Sequence, residues 1–171
     1  MTQKSELGKL GEDLACGYLV GKGYKVIERN FRKPWGELDI IAKSPDKTLV
    51  FVEVKTVRQC GNKFGNLFSY PQLPNSEITL HQAQYNPEQN KGIEPEMQLT
   101  NAKLKKMKRT ASLYVGDNPD LINEAKGWRL DLLALVIKDI SELILGGEND
   151  SLFRGLTTDD KNFVIRHYEN I

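Results

Sequence analysis

The stretch Phe51-Val52-Glu53-Val54-Lys55 decides how this chain folds. Its apolar side chains fall on both faces of an extended strand, a pattern typical of a strand in the middle of a sheet. A carboxylate and an ammonium group are costly there unless they have partners or a chemical role. Because side chains alternate along a strand, Glu53 and Lys55 point to the same face, about 6.5 to 7 Å apart. The stretch therefore predicts a central strand that carries a charged site.

A second strand is predicted upstream, over Gly36 to Ala42. Between the two strands lies Ser44-Pro45-Asp46-Lys47-Thr48, whose turn-forming residues indicate a hairpin. If the hairpin is centred on Asp46, Asp39 and Glu53 are equally far from its centre and lie opposite each other. Opposed Cβ atoms on one face are about 4.5 to 5.5 Å apart, and two like charges at that distance repel. A shift of register by one residue would send Asp39 to the other face, so the inference depends on the turn.

A divalent cation would turn this repulsion into chelation, and carboxylate oxygens suit Mg²⁺ or Mn²⁺. Two plainer explanations remain open at this point. Glu53 and Lys55 could form a salt bridge on an edge strand, or Asp39 could cap a loop. Each charge taken singly favours the plainer explanation, whereas all of them together favour a metal site.

Asp39 followed by Glu53-Val54-Lys55 resembles the Asp…Glu-x-Lys pattern of the PD-(D/E)xK nuclease superfamily, which includes restriction enzymes and archaeal Holliday-junction resolvases. More of the chain is similar to one branch, the YraN-like proteins, a bacterial family with endonuclease-like members. The similarity covers most of residues 6–137, and its motifs follow the family's order: Gly11-Glu12-Asp13-Leu14-Ala15, Lys22-Gly23-Tyr24, Arg29-Asn30-Phe31-Arg32, Gly36-Glu37-Leu38-Asp39-Ile40-Ile41-Ala42, Phe51-Val52-Glu53-Val54-Lys55-Thr56, the Lys103 to Tyr114 helix and Arg129-Leu130-Asp131.

The resemblance implies an α/β fold with a restriction-endonuclease-like core, in which the element order αβββαβ builds a mixed central sheet flanked by helices. It implies that residues 1–171 form a single domain of this kind. A polar insertion is expected at about residues 59–99, where family members usually have a much shorter link. The implied activity is Mg²⁺-dependent hydrolysis of phosphodiester bonds in DNA, with branched and single-stranded DNA among the expected substrates.

The resemblance also implies roles for individual residues. Asp39, Glu53 and the backbone carbonyl of Val54 would hold Mg²⁺ or Mn²⁺, which polarises the scissile phosphate and activates water. Lys55 would orient the nucleophile or stabilise charge that develops on the phosphoryl oxygen. Glu12 joins the catalytic and metal-binding residues only because superfamily resolvases use a glutamate of the first helix near the metal. A surface glutamate in a helix is otherwise common.

Positive charge is concentrated between Asn101 and Val115, where five basic residues occur without an acid. Apolar residues recur there at helical spacing, so the segment predicts an amphipathic helix capped by Thr100 or Asn101. Its basic side could follow a phosphate backbone, and an ordinary solvated face is the plainer alternative. The expected nucleic-acid contacts are Lys103 and Lys106 on this helix, together with two residues of an upstream motif, Arg29 and Asn30.

The composition excludes some classes of protein but does not by itself identify the function. The chain has 24 Lys and Arg against 23 Asp and Glu, so overall charge does not indicate a nucleic-acid binder. Cys16 and Cys60 are too few for a disulfide framework or a zinc site. No stretch has the apolar length needed to span a membrane. We therefore expect a cytoplasmic protein whose partner is DNA and not a membrane, and the sequence leaves a homodimer open.

Two other functions fit the same residues. The chain could be a nucleic-acid-binding accessory module of DNA processing that keeps the fold without turnover. It could also be a metal-dependent hydrolase of a phosphate ester that is not a nucleic acid, although the basic helix favours a polymeric anion.

Overall fold

The computed structural model describes residues 3–58, 95, 99–137 and 162–171. The predicted insertion at about residues 59–99 lies outside the described residues, apart from Pro95 and Leu99. Its bounds therefore stay a prediction, as does the single domain over residues 1–171.

The helices and strands follow one another in the predicted order: a helix, three strands, a second helix and a fourth strand. One further strand comes after them. The elements are α1 (Gln3–Gly21), β1 (Lys25–Lys33), β2 (Gly36–Lys43), β3 (Leu49–Arg58), α2 (Asn101–Asp117), a short 3-10 helix (Pro119–Leu121), β4 (Trp128–Ile137) and β5 (Phe163–Tyr168). The α/β class is confirmed. The predicted core has four strands, and β5 adds a fifth.

The five strands form one mixed sheet in the order β1-β2-β3-β4-β5. Strand β3 pairs antiparallel with β2 and parallel with β4, and β5 returns antiparallel to β4. The parallel pair is joined through α2, as a parallel connection requires. The stretch from Phe51 to Lys55 thus lies at the centre of the sheet, where its apolar character predicts it.

Helices α1 and α2 cover opposite faces of the sheet, and each packs on its own apolar cluster. The cluster under α1 is contributed by α1 and by all strands except β1, with the buried residues Leu14, Ala15, Tyr18, Leu19, Ile40, Ala42, Val50, Val52, Leu133, Leu135, Ile137, Phe163 and Ile165. The cluster under α2 contains Leu38, Ile41, Leu49, Phe51, Leu99, Met107, Ala111, Tyr114, Leu130 and Leu132. These two layers hold β3 between them.

The turn between β2 and β3 sets their register through side-chain hydrogen bonds. Ser44 N–H donates to the carbonyl of Thr48 at 3.0 Å, and Thr48 N–H donates to Ser44 Oγ at 3.1 Å. Thr48 Oγ1 also donates to Asp46 Oδ2 at 3.0 Å. Lys47 takes the left-handed conformation, with φ 72°. The hairpin is therefore centred on Asp46, as the sequence predicts.

Candidate metal and nucleic-acid site

The register of the hairpin brings two acids together on adjacent strands. Pairs run from Lys43 with Leu49 to Ile40 with Val52, where the ladder ends, and Asp39 and Glu53 are the next residues on the two strands. Asp39 Oδ2 accepts a hydrogen bond from the Val54 N–H at 2.8 Å. The one-residue shift that would have separated the two carboxylates does not occur.

Glu53 is a buried carboxylate, and only one of its oxygens has partners. Its side chain is 1% exposed, and Oε1 accepts a hydrogen bond from Lys55 Nζ at 2.5 Å. Lys103 Nζ, from α2, lies 3.5 Å from the same oxygen. Oε2 is buried and has no hydrogen-bond partner among the residues that the structure describes. The salt bridge between Glu53 and Lys55 is therefore present, but it lies on a central strand and satisfies half of the carboxylate.

An unpaired buried carboxylate oxygen costs about 1 to 3 kcal/mol or more if nothing binds it. A divalent cation fits the chemistry of the oxygens at this site, because Mg²⁺ and Mn²⁺ prefer carboxylate and carbonyl oxygens. Glu53 Oε2, the Asp39 carboxyl group and the Val54 carbonyl are of this type. The residues present thus fit the ion that the resemblance implies.

Asp39 has a strongly altered protonation equilibrium. Burial, followed by the nearby charge of Glu53, raises the pKa of Asp39 from 3.8 to about 7, while the hydrogen bond from Val54 and the charge of Lys103 oppose the rise. Glu12 raises the pKa of Asp39 further and is the smallest of these causes. Burial disfavours the charged form of the carboxyl group, and the like charge of Glu53 adds to that effect.

Glu12 lies near enough to Asp39 to affect its pKa, but it lines a separate groove. An added Cβ at Gly11 would lie 1.8 Å from Thr56 Oγ1, so α1 lies directly against β3 at this point. Glu12 faces an open groove of about 590 Å³ that is also lined by Arg29 and Asn30. Within the described ranges, no three His, Cys, Asp or Glu side chains form a group that could hold a metal ion. The structure therefore brings Asp39 and Glu53 together, and a metal-binding role for Glu12 stays a prediction.

The model of the uncharacterised protein family UPF0102 matches residues 11–135. A UPF0102 protein of Thermodesulfovibrio yellowstonii is 33% identical over 138 residues, which are 81% of this chain and 92% of that protein. Another UPF0102 protein, from Syntrophomonas wolfei subsp. wolfei, is 33% identical over 134 residues, 78% of this chain and 87% of that protein. The chain belongs to the UPF0102 family. This family is the YraN-like group, so the predicted resemblance is confirmed.

In this UPF0102 chain, the two lysines predicted as equivalent DNA contacts have different surroundings. Lys103 donates to Glu37 Oε1 at 2.9 Å and lies beside Glu53. Burial tends to lower the pKa of Lys103, but the hydrogen bond to Glu37 and the charges of Glu53, Glu37 and Asp39 raise it overall. Lys106 is exposed, one turn further along α2. Sequence periodicity put both lysines on one face but could not distinguish the inner one from the outer one.

The basic helix otherwise matches its prediction. Thr100 is the N-cap, and its side chain accepts a hydrogen bond from the backbone N–H of Lys103 at 3.2 Å. The helix ends at Asp117. Four of its basic residues are exposed: Lys105, Lys106, Lys108 and Arg109. These residues form the outer basic face of α2.

Arg29 and Asn30, the other expected DNA contacts, lie on β1 beside the groove of Glu12. Arg29 donates to Asp13 Oδ1 at 2.5 Å, so its charge is already paired. Asn30 adopts the left-handed conformation, with φ 54°. The register of β1 with β2, which pairs Arg29 with Ile40 and Phe31 with Leu38, places Asn30 beside Asp39. The role of Arg29 and Asn30 in binding DNA stays a prediction.

A second buried carboxylate, that of Asp131, was not singled out from the sequence as a site residue. Asp131 is fully buried on β4, and Arg129 Nε donates to its Oδ1 at 3.0 Å. His167 Nε2 lies 3.0 Å from Oδ2, and the backbone N–H of Asn170 donates to Oδ1 at 3.0 Å. His167 is therefore a structural residue that attaches β5 to β4. The sequence signals were its place in the motif Arg129-Leu130-Asp131 and its position as the one acid of a largely apolar strand, and the second of these signals also indicated Glu53.

Among the described residues, no helix combines the length and the apolar character needed to cross a membrane.

Proposed function

We propose that this UPF0102 chain is a divalent-cation-dependent nuclease that hydrolyses phosphodiester bonds in DNA. The observation that carries the proposal is the unpaired Oε2 of Glu53, which is buried near the Asp39 carboxyl group. A buried polar atom without a partner is rare in native proteins and indicates a bound ligand or a functional role. A hard divalent cation supplies the missing partner and removes the repulsion between the two acids.

Asp39, Glu53 and the Val54 carbonyl would hold the cation. When bound, Mg²⁺ or Mn²⁺ would polarise the scissile phosphate and make a water molecule more acidic. Lys55 shares the face of Glu53, and its side chain is 21% exposed, so its ammonium group can reach a phosphate at the surface of the site. There it would stabilise negative charge that develops on the phosphoryl oxygens.

DNA is supported as the substrate by the outer basic face of α2. Its four exposed cations lie on the helix that also supplies Lys103 to the site. A row of cations releases condensed counterions from a polymeric phosphate, a gain that a small phosphate ester cannot provide to the same extent. The basic face therefore favours a nucleic acid over a small ester.

One observation favours the second candidate, a nucleic-acid-binding module without turnover. Two lysines already lie against Glu53 Oε1, as a purely structural ion-pair network would require. Such a network leaves no reason for an unpaired oxygen, so it accounts for less of the site than the metal proposal does.

Cleavage assays decide between the two candidates. Linear, single-stranded, flapped and four-way DNA substrates are incubated with wild type, Asp39→Asn and Lys106→Met, each with Mg²⁺, with Mn²⁺ or with EDTA. The nuclease proposal expects cleavage by wild type only with the cation, none by Asp39→Asn, and weaker but cation-dependent cleavage by Lys106→Met. DNA binding without cleavage of any substrate would support the binding module. Hydrolysis of a small phosphodiester but not of DNA would support an esterase.

A further inference from the structure

Lys103 links the outer basic face of α2 to the carboxylate pair. Its Nζ lies 2.9 Å from Glu37 Oε1 and 3.5 Å from Glu53 Oε1, so one ammonium group bridges an acid at the rim and an acid in the interior. The Glu37 side chain is 50% exposed, whereas that of Glu53 is 1% exposed. Lys103 thus lies at the boundary between the site and the surface where DNA would lie.

The charge balance of the site explains this position. Asp39 and Glu53 are close enough to repel, and a buried carboxylate needs a counter-charge. Lys55 and Lys103 supply it in the absence of a cation. A divalent cation bound at the same acids would bring Lys103 close to two additional positive charges. The counter-charge that stabilises the metal-free site would then be repelled.

We propose that Lys103 is the displaceable counter-cation of this site: it neutralises Glu53 when no divalent cation is bound, and it turns to a DNA phosphate when one is. The inference rests on the proposed function and adds a coupling between cation binding and DNA binding. Lys103 acts on the cation site by competition, and it becomes a phosphate contact only after its release.

When a divalent cation binds, Lys103 is released from Glu53 in preference to Lys55, and the geometry of the two contacts gives the reason. Lys55 donates to Glu53 Oε1 at 2.5 Å from two residues along the same strand, whereas Lys103 lies 1.0 Å further from that oxygen. Lys103 also extends from a helix whose other lysines already face outward. Its side chain is 24% exposed, so a change of rotamer can carry the ammonium group to the surface without moving the helix.

The first test measures the salt dependence of DNA binding. Fluorescence anisotropy of a labelled duplex oligonucleotide is recorded over a range of NaCl for wild type, Lys103→Met and Lys106→Met, in EDTA and in Ca²⁺, with intact DNA verified on a gel. Each phosphate contact contributes about 0.9 to the slope of log K against log salt. We expect Lys103→Met to have the salt slope of wild type in EDTA and a slope smaller in magnitude by about 0.9 in Ca²⁺. The matched control, Lys106→Met, should have a slope smaller by about 0.9 in both conditions.

The comparison between variants at one cation concentration cancels the competition of Ca²⁺ itself for DNA. A slope reduced by Lys103→Met in both conditions would mean that Lys103 is a permanent phosphate contact. A slope reduced in neither would mean that it never reaches DNA. Either result overturns the proposal. Lys103→Gln removes the charge but keeps a hydrogen-bond donor for Glu37, and it replaces the methionine variant if that variant does not fold.

The second test needs no DNA. Melting temperature is recorded against Ca²⁺ or Mn²⁺ concentration for the same variants. Removing a competing positive charge should lower the half-saturating concentration by about tenfold in Lys103→Met and leave it unchanged in Lys106→Met. An unchanged or raised value in Lys103→Met overturns the proposal. A wild type that no divalent cation stabilises overturns the proposed function and this inference with it, whereas a stabilised wild type with an unaltered Lys103→Met overturns this inference alone.

Discussion

Replacing Asp39 with Asn should make the metal-free protein more stable than wild type, by a margin that grows as the pH rises. The pKa of Asp39 is raised from 3.8 to about 7, mainly by burial and then by Glu53. Below the unfolded value the carboxyl group is protonated in both states and costs nothing. Between 3.8 and about 7 the unfolded state ionises while the folded state retains its proton, so the free energy of unfolding falls as the pH rises.

The magnitude follows from the size of the shift. One pKa unit corresponds to about 1.4 kcal/mol, so the rise to about 7 corresponds to at most about 4 kcal/mol lost by pH 8. Asparagine cannot ionise, and its Oδ1 can still accept the hydrogen bond from the Val54 N–H. Asp39→Asn should therefore equal wild type near pH 4 and exceed it increasingly up to pH 8.

The assay is urea unfolding followed by circular dichroism in EDTA, from pH 8 down to about pH 3. Glu37→Gln is a control of opposite sign, because its hydrogen bond from Lys103 lowers the pKa of Glu37. That variant should be less stable than wild type at neutral pH, and the deficit should vanish as the pH falls through the lowered pKa of Glu37. With Mg²⁺ at about a hundred times its dissociation constant, wild type should gain about 2.7 kcal/mol and Asp39→Asn almost nothing.

A less stable Asp39→Asn at pH 8 would refute this reasoning. A loss of about 1 to 3 kcal/mol there, with no response of wild type to Mg²⁺ or Mn²⁺, is the result expected of a satisfied structural carboxylate. It would remove the basis for the nuclease proposal.

Three further substitutions, one of them with a matched control, test the site and its surroundings. Gly11→Ala should destabilise the protein by about 1 to 3 kcal/mol in thermal melts, because the new Cβ meets the Thr56 side chain. Its control is Gly8→Ala, whose new Cβ has no described atom within 4 Å and which should stabilise the helix by up to about 1 kcal/mol. Equal effects of the two substitutions would contradict the close contact between Gly11 and Thr56. Asp131→Ala should cost about 3 to 5 kcal/mol in urea unfolding because Arg129 loses its buried partner, while the salt slope of DNA binding stays that of wild type. Glu53→Gln should abolish stabilisation by Mn²⁺ in the same melts, and a retained response would show that the cation binds elsewhere.

The sequence was sufficient to predict the fold wherever the residues of one segment determine its structure locally. The apolar run of β3 identifies a central strand because burial on both faces leaves no polar alternation. The turn residues around Asp46 determine the hairpin register because their side chains bond to the local backbone. Thr100 caps α2 by the same kind of local bond. For these reasons the opposition of Asp39 and Glu53 could be predicted before any tertiary structure was known.

The rest depended on packing between segments that are distant in sequence. Helical periodicity puts Lys103 and Lys106 on one face, but only the docking of α2 on the sheet brings one of them to Glu53 and leaves the other in solvent. Strand alternation identifies Glu53 as a buried acid, yet the unpaired Oε2 follows from where two lysines on different elements point. Asp131 looked unremarkable until β5 brought His167 and Asn170 beside it. Local sequence determines which face a side chain takes, and tertiary packing determines what that face meets.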